Sequence, residues 1–190
     1  MVDVMRVKDR YAINVINFGF ESVAAQVMQK VKHYPLLGGR NAYLLGAAWA
    51  FVTAMNAPCK VYADGELLNP KGRLLLCSVA SGQYVGGRFR TAPRSINDDG
   101  FMDVCIITPM PVYRAVLMMG LYQRGGHLDS PKLKENLVYR RARKVRVEAR
   151  EGWLLTLDGE MLPAAQADID VCHRAARFVV PKGAVPVTAI

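Results

Sequence analysis

Two short stretches carry the residue types from which a catalytic centre could be built. Leu157-Asp158-Gly159-Glu160 sets two carboxylates around a glycine at the end of an apolar run. Ile96-Asn97-Asp98-Asp99-Gly100-Phe101-Met102-Asp103 sets three more beside another. If the backbone stays extended through Asp158 and Glu160, the two share a face about 6–7 Å apart at Cα. One carboxylate can then accept a proton from a substrate hydroxyl while the other organises a cation or water. Asp98-Asp99-Gly100, flanked by free backbone carbonyls, offers the oxygen donors that Mg²⁺ or Ca²⁺ requires. Each motif also reads as an ordinary Asp-Gly turn, and Asp64-Gly65-Glu66 repeats the first tripeptide where a hairpin is expected.

Other motifs carry less. Ser81-Gly82-Gln83-Tyr84-Val85-Gly86-Gly87-Arg88 is glycine-rich but lacks the GxxxxGK[ST] pattern of a phosphate cradle, so backbone freedom near a cleft is its expected role. Met118 and Met119 could line a lipid pocket, although such stripes usually serve as core. Cys59, Cys77, Cys105 and Cys172 form no CxxC pair and share no ligand spacing with His33, His127 or His173. Buried reduced thiols in a cytoplasmic protein are the expectation.

The elements that must position these groups follow from periodicity. Strands are expected at Tyr11–Asn17, Arg73–Ala80, Phe101–Thr108, Asn136–Arg150, Trp153–Leu157, Ala167–His173 and Arg177–Val180, with a hairpin around Asp64-Gly65. Ser22–Lys32, Arg40–Met55 and Pro111–Arg124 read as helices, and His33–Gly39 and Ser81–Gly100 as loops. Strands dominate the second half while helices group early, with one inserted mid-chain. The pattern is α+β: a β-sandwich-like pair of antiparallel sheets with a few helices packed on one side.

Length and composition bound the rest. The 190 residues suit one domain, and 52% hydrophobic residues with a mean hydropathy of +0.10 suit a folded, soluble chain. The longest apolar stretch, Ala42–Ala57, is short for a membrane span and too far along for a signal peptide. The net charge of +9 peaks at Arg140, Arg141, Arg143, Lys144, Arg146 and Arg150. From Lys144 that run alternates with apolar residues, the pattern of a half-buried strand, and no nucleic-acid motif accompanies it. Positive charge over the whole chain suits approach to anionic membrane lipid.

Taken in order, several segments resemble the C-terminal domain of the soluble diacylglycerol kinase and sphingosine kinase-like lipid kinase family. They are Asn14-Val15-Ile16-Asn17-Phe18-Gly19-Phe20, Gly39-Arg40-Asn41-Ala42-Tyr43-Leu44, Asp64-Gly65-Glu66, the glycine-rich stretch from Val79, Ala92-Pro93, Asp98–Asp103 and Leu157–Glu160. The resemblance spans nearly the whole chain. It implies the lipid-side half of an ATP-dependent lipid kinase, peripheral at the membrane, that phosphorylates a hydroxyl such as that of diacylglycerol. Glu160 would be the proton acceptor and Asp158 its companion. A structural Mg²⁺, with Ca²⁺ as the alternative, would sit on the Asp99 carboxylate and the carbonyls of Ile96 and Phe101. Arg88 and Ser95 depart from the family's Gly-Gly-Gly and Pro-x-Ala patterns.

The family's Gly-Gly-Asp-Gly-Thr nucleotide motif does not occur in these residues. ATP would therefore be held mainly by an N-terminal nucleotide-binding domain of ~100–150 residues preceding Met1, to which the tail 183–190 would return. These 190 residues alone are then expected to show no turnover. The alternative is a noncatalytic lipid-binding or regulatory module of the same fold, and a weaker one is a hydrolase using Asp158 and Glu160. Self-association stays open.

Overall fold

The computed structural model describes residues 1–31, 40–86 and 89–184. Among them, thirteen strands and three helices, labelled in chain order, form two antiparallel sheets with a helical layer. Sheet A runs β2 (Arg10–Ala12), β1 (Val2–Val7), β13 (Gln166–Ala176), β10 (Lys144–Ala149), β4 (Ala57–Ala63), β5 (Glu66–Leu67), and β6 (Arg73–Leu74) also pairs with β4. Sheet B runs β12 (Glu160–Pro163), β11 (Leu154–Leu157), β3 (Val15–Gly19), β7 (Leu76–Ala80), β8 (Met102–Ile107), β9 (Leu137–Ala142). The helices are α1 (Phe20–Val31), α2 (Arg40–Thr53) and α3 (Val112–Gln123).

Alternation explains the layering. In β4 and β10 buried residues alternate with exposed or half-buried ones, so sheet A turns one face inward and one to water. The central strands β3, β7 and β8 are buried at every position, because sheet B lies between sheet A and the helices. Val61, Val145, Val147 and Ile169 of sheet A meet Ile16, Phe18, Val79, Val104 and Leu155 of sheet B in one core. A second cluster joins the outer face of sheet B to α3 through Leu76, Ile107, Tyr122 and Leu133. α1 packs on β3 and β11, and α2 lies along α1. A Cβ at Gly46 would come within 2.4 Å of the Ala24 carbonyl, so this crossing requires glycine.

The expected α+β sandwich is present, with differences in detail. The expected strand Tyr11–Asn17 is two strands in different sheets, β2 in A and β3 in B. Between them the amides of Ile13 and Asn14 bond the Asp158 carboxylate instead of a neighbouring strand. The run 136–150 likewise splits into β9 and β10, and the intervening Arg143 amide bonds Asp64. Arg73–Ala80 breaks at Leu75, whose amide bonds the Ile107 carbonyl and whose carbonyl takes the Phe20 amide. β1 and β12 were not anticipated, and 177–180 forms no strand. The expected loop 33–39, residues 87 and 88, and the tail beyond Ala184 lie outside the described residues.

Candidate functional site

The chain does not stay extended through Asp158 and Glu160. Asp158 (φ 49°) and Gly159 (φ 96°) form the left-handed turn of the β11–β12 hairpin, and Leu157 pairs with Glu160 across it. Glycine suits that φ at no steric cost, whereas Asp158 is held there by its bonds. Its carboxylate accepts the amides of Ile13 (2.6 Å), Asn14 (3.1 Å) and Val15 (2.8 Å), and its own amide donates to the Val15 carbonyl at 3.0 Å. The Gln29 side-chain amide, from α1, donates to the Gly159 carbonyl at 2.8 Å. Asp158 therefore acts on the backbone, and Glu160 is the carboxylate left available. Glu160 is exposed, and its carboxylate has no hydrogen bond or ion pair with another described residue.

The glycine-rich stretch belongs to the same end of sheet B. The Ser81 and Gly82 amides donate to the Asn14 carbonyl at 2.9 and 3.1 Å, and the Asn14 side chain donates to the Tyr84 carbonyl at 2.9 Å. A Cβ on Gly82 would fall 2.1 Å from Asn14 Oδ1, so this glycine permits a close approach. Asn14 thus links the Asp158 turn to the glycine-rich stretch.

The Asp98–Asp103 group lies elsewhere along that edge. The Glu160–Leu157, Ile16–Val79 and Val79–Val104 pairings continue through Leu157–Ile16 into one row across the sheet. Glu160 and Val104 are four strand spacings apart in that row, roughly 19 Å. The two constellations share an end of the sheet without forming one centre. Asp99 Oδ1 accepts the Phe101 amide at 3.0 Å, and Oδ2 is paired with Arg141. The guanidiniums of Arg141 and Arg143 stand 4.8 and 4.9 Å from the Phe101 ring centroid. Asp98 pairs with Arg174 at 3.2 Å. Asp103 is buried and bonded to Tyr139; burial raises its pKa, opposed by hydrogen bonds from Tyr139 and Ser95 and by Arg141.

Two acids that sequence reasoning passed over organise these regions. Asp3 is fully buried, accepts the amides of Gly100 (2.6 Å) and Arg174 (2.7 Å), and bonds His173 Nδ1 at 2.9 Å. Its amide donates to the Asn97 carbonyl at 2.7 Å, so β1 holds the 97–100 loop in shape. Glu21 begins α1 and turns its carboxyl beneath α3, where Tyr122 and Ser78 bond it at 3.1 and 3.4 Å. Burial pushes Glu21 up to about 7, partly offset by those two bonds. Neither acid carries a sequence signal, because each partner is remote in the chain.

The remaining expectations resolve simply. Cys59, Cys77 and Cys105 are buried free thiols, whereas Cys172 is free but only half-buried, and burial pushes Cys59 up to about 12. Met118 packs into the Tyr122–Leu133 cluster as core. Among the described residues there is no group of three or more His, Cys, Asp or Glu able to hold a metal. A site built from one carboxylate and loop carbonyls would have the donor chemistry of a hard cation. Asp99 supplies such a carboxylate, whose positive partner in this structure is Arg141.

With this arrangement in view, the comparisons identify the class. Residues 14–180 match the YegS C-terminal NAD kinase beta sandwich-like domain, and the chain belongs to that family. It is 29% identical over 182 residues to a protein of Alcanivorax borkumensis described as "Probable lipid kinase YegS-like", covering 95% of this chain and 58% of that protein. It is 26% identical over 185 residues to "Diacylglycerol kinase" of Bacillus subtilis, covering 95% of this chain and 57% of that one. The chain thus spans somewhat more than half the length of these relatives. A crystal structure described as a diacylglycerol kinase from Bacillus anthracis shares the fold, with a TM-score of 0.57 at 18% identity over 90% of this chain and 50% of that one.

Proposed function

We propose that this chain is the acceptor-side part of an ATP-dependent lipid kinase, delivering the hydroxyl of a lipid such as diacylglycerol to the γ-phosphoryl group. Glu160 carries the reading: it is an exposed carboxylate with no partner among the described residues, on a turn fixed by three backbone amides and a glutamine from α1. Such a carboxylate can take the proton of an approaching hydroxyl as the oxygen attacks phosphorus. Asp158 is the positioning residue, since its oxygens hold Ile13, Asn14 and Val15 and thereby the angle of the hairpin.

Proton acceptance supplies about 10²–10⁴-fold. Phosphoryl transfer depends more on positioning and charge neutralisation around the phosphates. Those groups are assigned to a nucleotide-binding domain of the complete protein, the partner of this chain, and the lipid to a membrane surface. The names of the relatives and the share of their length that this chain spans support that division.

For the cation, the Asp99 carboxylate and the carbonyls of Ile96 and Phe101 would hold Mg²⁺, with Ca²⁺ the alternative. When bound it would supply a fixed positive charge to the loop, a task that Arg141 performs on Asp99 Oδ2 here. Its distance from Glu160 along the sheet gives it a structural role.

In the complete protein, Glu160→Gln should lower turnover about 10²–10⁴-fold while leaving ATP affinity nearly intact; unchanged turnover removes Glu160 from the role. Magnesium should raise the melting temperature of the chain, and Asp99→Asn should abolish that rise. A magnesium effect that survives Asp99→Asn removes the cation from this loop.

A further inference from the structure

The helical layer is apolar on both sides. In α3 the outer positions Val112, Tyr113, Val116 and Leu117 are 45%, 69%, 50% and 70% exposed. At about 3.6 residues per turn they make one stripe. The opposite side of α3 is already occupied, with Ala115, Met118, Leu121 and Tyr122 packed around Met110 and Leu133. α2 repeats the pattern with Leu45, Trp49 and Val52, the last 81% exposed. A helix with only water outside would carry polar residues there. Sheet A shows that contrast in the same molecule: its uncovered face bears Arg6, Lys60, Arg146, Asp168 and Asp170.

We propose that the α2–α3 face docks on an anionic lipid bilayer. The inference rests on the lipid-kinase reading, for which a bilayer is where the acceptor resides. Charge selects this occupant. Beside α3, Arg124, Lys132 and Lys134 are exposed, and Arg114 ties the 131–135 turns to the helix by donating to the Lys132 carbonyl at 2.7 Å. The acids of this rim are Asp129, already paired with Arg94, and Glu135. A second copy would bring one basic rim against another, whereas anionic headgroups complement it. Trp49 and Tyr113 have the amphipathic rings favoured at headgroup depth. Among the described residues no helix is long and apolar enough to cross a membrane, so the face would lie in the interface.

Cosedimentation of the 190-residue chain with vesicles tests this. Mixed phosphatidylcholine–phosphatidylglycerol vesicles should bind it, and pure phosphatidylcholine or raised salt should weaken binding. Leu117→Asp and Val52→Asp, at exposed positions that spare the fold, should each cut partitioning at least about tenfold. Lys132→Gln and Lys134→Gln should each cost roughly fivefold on the mixed vesicles and nothing on pure phosphatidylcholine. Lys60→Gln on sheet A should change neither.

Partitioning unaltered by Leu117→Asp and Val52→Asp overturns the proposal. So does a dimer that Leu117→Asp converts to monomer with vesicle binding intact. Binding by this chain but not by the complete protein also overturns it, because the face is then covered by another part of that protein. In the complete protein, Leu117→Asp should retain turnover on a short-chain, water-dispersed diacylglycerol and lose it on vesicles. A complete protein that binds vesicles through this face yet phosphorylates neither form overturns the kinase reading while supporting the docking.

Discussion

The turns at Asp64-Gly65-Glu66 and Asp158-Gly159-Glu160 are one device used in both sheets. In each, the aspartate (φ 46° and 49°) and glycine (φ 88° and 96°) make the same left-handed hairpin turn. Each aspartate accepts backbone amides where the chain crosses between sheets. Asp64 holds Arg143 and Lys144 between β9 and β10, and Asp158 holds Ile13, Asn14 and Val15 between β2 and β3. Each aspartate amide donates to the carbonyl of the resumed strand, Lys144 at 2.9 Å and Val15 at 3.0 Å. The glutamates differ. Glu66 is paired with Arg140 at 2.9 Å, while Glu160 has no hydrogen-bond or ion-pair partner among the described residues. The tripeptide is thus a structural clamp in both sheets, and the two copies differ in what surrounds the third residue.

The sharpest way to break this comparison is kinetic. In the complete protein Glu160→Gln should lose about 10²–10⁴-fold in turnover and Glu66→Gln almost nothing, because Glu66 forms an exposed pair worth at most about 1 kcal/mol. Equal losses would make both glutamates structural.

Glu21 sets the comparison against a half-buried acid whose carboxyl is held by Tyr122 and Ser78. Its folded pKa of about 7 lies above the ordinary carboxylate value of about 4.5, so the native state holds the proton through that interval. Stability from the neutral carboxyl is complete below about pH 4.5 and is lost as pH rises through about 7, by up to on the order of 3 kcal/mol. Denaturant titrations across that range should show the decline, and Glu21→Gln should flatten it.

Next in size come the clamps themselves. Asp158→Ala should destabilise by about 1–3 kcal/mol, since three amides lose a charged acceptor. Asp64→Ala, with two amides, should cost somewhat less. Chemical denaturation of the two variants would reverse this ranking if the clamps were not the main role of the aspartates. Smallest, Gly159→Ala and Gly65→Ala should each cost about 1 kcal/mol through backbone strain alone, because a Cβ at either meets nothing within 4 Å. A clear inequality between them would show that the turns are not equivalent.

The helices and most strands were legible because their apolar periods are local properties of the chain. The splits at Ile13–Asn14, Leu75 and Arg143 were not, since each depends on a hydrogen-bond partner supplied from elsewhere in the fold. The site was legible in part: Asp158, Glu160 and Asp99 stand out as residue types around glycines. Their division of labour was hidden, because the Asp158 acceptor set and the Arg141–Asp99 pair are contacts across 143 to 145 and 42 residues. Asp3 was invisible for the same reason, with its partners 97 and 171 residues away.

Sequence alone determined the α+β composition, the layers that alternate and the positions of the turns, since propensity and hydrophobic period act over a few residues. Tertiary structure alone decided which carboxylates are consumed by backbone amides and guanidiniums and which have no such partner among the described residues. The physical reason is that a charged oxygen takes its character from the donors around it, and in this protein those donors arrive from distant segments brought together by two packed sheets.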